Sequence, residues 1–473
     1  MNARAGLGRI VVAGGGITAA CAAIAFTRAL PRASVLLLSL PVDAAALADR
    51  LPAVDPRGLA LLARVGIGEE ALVAAGAASH RIGQHFAWGG TPFTIGEGDG
   101  VPHLAGAALH QLWRAHGEGA FHELVPAAVL ADADRFVHPD DRPGSLLSQI
   151  DYSLRLDPER ALPLLHRAAA AARVAMSPAA RLTPLWRDGV CAAVLADGVR
   201  IDADLFVDAT GPRARLAAGD AAWIDWRETL PADRLLLRST PSAPSPCDRY
   251  EATADGWTAR WPLADRTLHG VAQAAGRGAA GKGESIAVHP RRQAASFAGR
   301  VLALGDAAAA LGPLGWLGLP LALAQLEIAL ELMPARGDGP LLAAEYNRRA
   351  SLAADRFHAY AAAFYLAGPP RRGAFWHALR QRAAPPELAT ALAQFGRRGS
   401  LPPLEEAVVP RAAWQQALIG LGVRPEIADP VARSVPVPSA VAALTQLRRA
   451  VAALPATLPP YPNYLGSMRK ATA

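Results

Sequence analysis

The chain has little lysine, cysteine or aromatic side chain, and each shortage narrows what it can be. Only two lysines occur, Lys282 and Lys470, within a total of 48 Lys and Arg, so arginine carries almost all the basicity. The arginines stand singly or in pairs, as at Arg64, Arg114, Arg135 and Arg173. No dense basic run is interleaved with aromatics, so the net charge of +7 does not read as a nucleic-acid surface. Three cysteines, Cys21, Cys191 and Cys247, show no metal-ligand spacing and make an odd number, which argues against both a zinc site and a complete disulfide framework. A reducing cytoplasm is the expected compartment. Aromatics make up 6% of the chain while hydrophobic residues reach 52%, so the core must be built largely from alanine and leucine, a composition suited to close-packed helices around a sheet. At 473 residues, two intimately packed lobes are expected rather than one simple core.

No stretch reads as a membrane span, although two imitate one. Arg4 and Arg9 followed by apolar sequence to Phe26 resemble a signal peptide, but glycines interrupt the run. Ala307 to Leu326 is uncharged, yet Pro313, Pro320 and several glycines break it, which fits a buried loop and helix.

What the chain does have is a strand, a glycine turn and a helix at its start. Ile10-Val11-Val12-Ala13 runs into Gly14-Gly15-Gly16, and Ile17, Thr18 and Ala19 open the helix. Such a turn lets backbone N–H groups and the helix dipole meet a pyrophosphate. The following strand, Ser34 to Ser39, ends on Ser39 where an acid usually holds a ribose. Far downstream, Val301-Leu302-Ala303-Leu304 delivers Gly305-Asp306, one carboxylate at a strand end. Together the two segments predict an FAD site, with Asp306 on a ribityl hydroxyl. Between them, Leu205-Phe206-Val207-Asp208 leads to Ala209-Thr210-Gly211 and returns the chain to the cofactor sheet.

The expected fold is α/β: a doubly wound, Rossmann-like FAD-binding lobe, an antiparallel substrate-lobe sheet and a helical C-terminal region. The expected divisions are 1–83, 151–219 and 296–338 for the cofactor lobe, 84–150 for an irregular, glycine-rich, substrate-facing insertion, 220–295 for the sheet, and 339–473 for the helices. A helix is expected from Asp157-Pro158-Glu159, with a kink at Pro163.

The motifs Gly14-Gly15-Gly16, Asp208-Ala209-Thr210-Gly211 and Gly305-Asp306-Ala307-Ala308 are similar to the three FAD signatures of flavin monooxygenases. From Arg9 to about Pro430 the chain resembles the flavin-dependent tryptophan halogenase family. The likeness runs through Ala78 to Phe86, Gly256-Trp257, Trp261-Pro262-Leu263, Tyr346-Asn347, Phe375-Trp376 and Trp414 to Pro425. The resemblance implies FAD as cofactor, dioxygen and a small aromatic or indole-like molecule as substrates, and a separate flavin reductase as partner.

Four departures qualify what it implies for chemistry, the first being that the family's Gly-Glu-Ala-Thr loop after the second strand has no recognisable counterpart between Asp49 and Pro56. The family's lysine, which receives or orients hypohalous acid, is matched by Arg81, and a guanidinium that stays protonated is a poor nucleophile. In Pro313-Leu314-Gly315-Trp316-Leu317-Gly318 the family's glutamate is replaced by Gly315 and the next serine by Trp316. In the paired-tryptophan signature Trp257 remains, Ala259 replaces the second tryptophan and Trp261 is new. The candidate catalytic residues are Arg81, His80 for proton movement near neutral pH, and Trp316 beside the flavin face. Pro313 and Gly318 complete the cofactor set. The expected activity is FAD-dependent oxygenation of an aromatic substrate through a flavin hydroperoxide. A halogenase with non-standard residues, or a catalytically silent flavin- or ligand-binding homologue, stand as alternatives.

Overall fold

The computed structural model describes residues 6–274, 283–332 and 339–472; Lys282 lies outside them. The chain divides into two compact units. One comprises residues 1–78, 156–227 and 286–357, and the other residues 79–155, 228–285 and 358–473.

The first unit is built on a six-stranded sheet. Its order is Ala175–Pro178, β2 (Ser34–Ser39), β1 (Arg9–Ala13), Leu205–Asp208, Val301–Ala303 and Phe297–Ala298, all parallel except the last pair. Ile10 to Ala13 and Leu205 to Asp208 are buried on both faces, as continuous apolar runs in a parallel sheet require. Helix α1 (Ile17–Ala29) buries every residue from Ile17 to Phe26; seven of those ten are alanine, cysteine or threonine, small enough for close approach to its neighbours. A three-stranded antiparallel meander, Leu182–Arg187, Val190–Ala196 and Val199–Ile201, packs on the sheet through Val194, Cys191 and Ala196 against Val11, Leu38 and Phe206. The helix Pro158–Ala171 starts under the Asp157 cap and runs through Pro163 without interruption. The apolar stretch Leu314–Glu331 has the length and composition of a membrane span, but 78% of it is buried inside the protein, the mark of a core helix.

The second unit is organised by a seven-stranded sheet in the order Glu284–Ala287, Arg234–Pro241, Arg266–Gln273, Gly256–Pro262, Cys247–Thr253, Gly83–Ala87 and Phe93–Gly96. An antiparallel sheet is therefore present, extended by Gly83–Ala87, which pairs in parallel with Cys247–Thr253, and by Phe93–Gly96. The 84–150 region is less irregular than its glycines suggested, since it also contains helices Leu109–His116 and Pro126–Asp132. Phe86 stacks on Tyr250 and Phe364 at ring separations of 4.8 and 4.6 Å, and Trp257 and Trp261 are wholly buried in the same aromatic core. Helices Pro386–Arg398, Arg411–Gly420 and Val437–Ala453 fill much of the remaining C-terminal region.

Candidate functional site

In the first unit the predicted cofactor residues converge. Gly14 follows β1, and a Cβ there would collide with the Ala209 carbonyl, so the glycine is required by the neighbouring strand-end loop. Gly16 precedes α1 and offers no side-chain cap. The N–H of Thr18 instead donates to Asp49 Oδ1 at 2.8 Å, and the N–H of Ile17 also reaches that carboxylate. Ser39 ends β2 and supplies no acid. Ala19 is buried in the first turn of α1.

Thr210 and Gly211 belong to a loop held by Asp208. The buried Asp208 carboxylate accepts from the Thr210 N–H and hydroxyl at 3.0 and 2.7 Å and from the Leu216 N–H at 2.8 Å. Burial pushes its pKa up, and these bonds oppose the rise. Gly211 takes a φ of +81°, where a side chain would be strained.

Asp306 is 4% exposed, and its Oδ2 accepts from the Ala48 N–H at 2.7 Å. Burial, aided by the charges of Asp49 and Asp43, pushes its pKa up to about 7. The Gly305 N–H is fixed by Gln325 Oε1 at 2.9 Å. Pro313 leads into the turn Leu314–Trp316, where Gly315 has φ +75° and Trp316, 1% exposed, has φ +58°. A bulky residue in that region is a backbone outlier of the kind held at functional sites. Gly318 opens the helix Gly318–Glu331, and a Cβ there would sit 2.9 Å from Ala48 Cα.

In the second unit His80 and Arg81 lie on the strand Ala78–Arg81 and are both buried. His80 stacks on Phe136 at 4.2 Å, and its Nδ1 meets the Tyr461 hydroxyl at 3.1 Å. Arg81 donates through Nε to Glu97 Oε1 at 3.1 Å, through Nη1 to Asp248 Oδ2 at 3.4 Å, and through Nη2 to Ser153 Oγ at 3.3 Å. Asp248, with no exposure, also accepts from the buried Arg155 at 2.8 Å. Two guanidinium groups thus face two carboxylates. Burial alone would lower the Arg81 pKa, but Glu97 and Asp248 more than offset it and hold the group firmly protonated.

An open cavity of about 580 Å³ lies within the second unit, walled by Trp88, Phe93, Trp113 and Phe121 and flanked by Arg371 and Arg424. Arg371 is 6% exposed. It donates to the carbonyls of Trp88, Tyr365 and Ala367 at 2.8, 3.2 and 3.0 Å. No carboxylate pairs with it among the described residues, and burial pulls its pKa down to about 10. Arg424 lies 4.9 Å over the Trp113 ring. Of the tryptophans, Trp88 lines this cavity, whereas Trp257 and Trp261 spend their N–H groups on the buried hydroxyls of Tyr365 and Tyr250.

Two functional candidates escape a reading of the sequence. Asp49 acts on residues 31 positions away, and nothing local marks it. Arg371 sits beside Arg372, which is exposed, and the pair look alike in sequence.

The donor types of the first unit are those an FAD takes, a helix N-terminus behind a glycine turn, a strand-end loop without room for side chains and a buried carboxylate, but in this structure Asp49 holds the helix N–H groups and the Ala48 N–H holds Asp306. Comparison with known proteins agrees. The sequence profile described as tryptophan halogenase matches residues 9–437. No curated protein matches the chain significantly by sequence. Among solved structures, the flavin-dependent halogenase BrvH from Brevundimonas sp. BAL3 superposes with a TM-score of 0.89 at 22% identity, over 98% of this chain and 99% of its own. Xcc4156, a flavin-dependent halogenase from Xanthomonas campestris, gives 0.88 at 24% identity over 98% of both chains. The tryptophan 6-halogenase SttH from Streptomyces toxytricini gives 0.87 at 21% identity, over 97% of this chain and 100% of its own. The chain belongs to the tryptophan halogenase family, a family of FAD-dependent enzymes.

Proposed function

We propose that this protein is an FAD-dependent oxidoreductase that oxygenates an aromatic, indole-like molecule, using dioxygen and electrons from a separate flavin reductase. The observation that carries this reading is the state of Arg81. Where the family's lysine is expected there is a permanently protonated guanidinium, bonded to Glu97, Asp248 and Ser153, with no lone pair to capture an oxidised halide. Gly315, where the glutamate is expected, has no group to accept a ring proton. Oxygen transfer needs no group to capture an oxidised halide, and the ring proton it displaces would pass to water.

In this reading the N–H groups of Ile17 and Thr18, once released from Asp49, would hold the pyrophosphate behind Gly14, Gly15 and Gly16. The Ser39 hydroxyl serves the ribose, Asp306 a ribityl hydroxyl, and Thr210, Gly211, Pro313 and Gly318 shape the remaining walls. Bound FAD in its reduced form supplies two electrons and activates dioxygen. Trp316, buried in its turn, would help exclude water from the flavin. His80, bonded to the Tyr461 hydroxyl and stacked on Phe136, is the imidazole of this reading in the second unit. The cavity between Trp88 and Trp113 accepts the aromatic substrate, and the charge of Arg371, which has no carboxylate partner among the described residues, favours one that carries a carboxylate.

The test is turnover of a panel of indole and aryl carboxylic acids with reduced FAD in air, with and without bromide. Oxygenated product in equal yield under both conditions supports the proposal. Product that requires bromide would establish halogenation instead, and absence of both product and FAD binding in folded protein would favour the silent homologue.

A further inference from the structure

The short helix α2 (Leu47–Arg50) and the residue before it lie against six of the residues assigned to the cofactor, Gly16, Ile17, Thr18, Gly211, Asp306 and Gly318. The Asp49 carboxylate lies on the first N–H groups of α1, and a Cβ on Gly16 would overlap it. The Ala48 N–H occupies Asp306 Oδ2. A Cβ on Gly318 would sit 2.9 Å from Ala48 Cα, and one on Gly211 would sit 2.9 Å from Ala46 Cβ. Every one of these contacts lies within the first unit.

A carboxylate at a helix N-terminus satisfies the same N–H groups and the same dipole as a phosphate would. Asp49 is 6% exposed and pairs with no cation among the described residues; burial pushes its pKa up, and its bonds to the N–H groups of Thr18 and Ile17 only partly oppose the rise. We propose that Asp49 is an internal competitor for FAD: its carboxylate stands where the pyrophosphate binds, so docking of Ala46–Leu51 and binding of the cofactor are mutually exclusive. The inference rests on the FAD site proposed above. Binding requires α2 to leave, which frees Asp306 from Ala48 at the same time as it frees α1 from Asp49. The cofactor's affinity is then set by the strength of this internal contact as well as by its own contacts.

The arrangement predicts that weakening the carboxylate strengthens FAD binding. Oxidised FAD is titrated into the full-length wild type, D49A and D49N, following flavin fluorescence, and hydrogen exchange of residues 43–51 is measured with and without saturating FAD. Expected are Kd values lower by about tenfold in D49A and less in D49N, together with faster exchange across 43–51 in the wild type when FAD is bound. Unchanged or weaker binding by both folded variants would overturn the proposal, as would exchange across 43–51 that FAD leaves unaltered or slows. The wild-type exchange experiment decides the matter even where a variant fails to fold. Failure of folded wild type and both variants to bind FAD at any concentration would overturn the FAD site itself, a result distinct from equal binding by all three.

Discussion

Asp248 in the second unit and Asp49 in the first are both buried carboxylates, yet the protein treats them in opposite ways. Asp248 is bracketed by Arg81 and Arg155, with Glu97 completing a balanced set of two positive and two negative groups. Asp49 has no cation among the described residues; it is held by backbone N–H groups, and its charge raises the pKa of nearby Asp306. A balanced buried cluster is fixed, because removing any member strands a charge. The contrast marks the Arg81 cluster as architecture and the Asp49–Asp306 pair as the part of the protein that changes on binding.

The largest expected effect comes from unbalancing the fixed cluster. Arg81→Met leaves Asp248 and Glu97 short of a cation and should cost about 3–5 kcal/mol of stability in denaturant unfolding. Arg81→Lys should cost less, since it restores the charge but cannot serve both carboxylates. If Arg81→Lys lost no stability, the cluster would not be the fixed element described here.

Asp306 sharpens the other side through pH. Its folded pKa, near 7, lies above the unfolded value near 4, so the native state retains a proton that the unfolded chain releases between those values. Stability from this group is therefore full below about pH 4 and falls by roughly 4 kcal/mol as pH rises through 7. Asp306→Asn removes that slope, and the difference between the two proteins' unfolding free energies across pH 4–8 measures it. A parallel pair of pH profiles would contradict the assigned environment.

Much of the first unit was legible in sequence because it rests on local signals. The apolar run of β1, the glycines after it and the small residues of α1 fix one another within thirty residues, and Asp306 is marked by the strand before it. Asp49 was not legible, since its meaning comes from folding back onto α1. In the second unit, the strands Gly83–Ala87 and Phe93–Gly96 are too short for alternation to stand out, and helices of seven or eight residues between glycines read as loops. Arg81 was legible as a substitution for lysine, but its partners Glu97, Ser153 and Asp248 come from three separate segments.

Smaller effects refine the picture. Arg371→Met should weaken binding of an aryl carboxylate by about tenfold to a hundredfold, read by calorimetry, while the uncharged parent arene is affected less. Equal losses for both ligands would mean that Arg371 acts only through its carbonyl bonds. Gly315→Glu places a side chain at φ +75° and should cost about 1–2 kcal/mol without conferring halogenation. A stable variant that halogenates would show that the missing glutamate alone had limited the chemistry.

The central claim is that the atom delivered to the substrate is oxygen. The most direct test is mass spectrometry of the product formed from an indole substrate under heavy-isotope dioxygen, with reduced FAD and excess bromide present. Incorporation of one labelled oxygen and no bromine is the predicted result. Bromine in the product, with no oxygen label, would contradict the account.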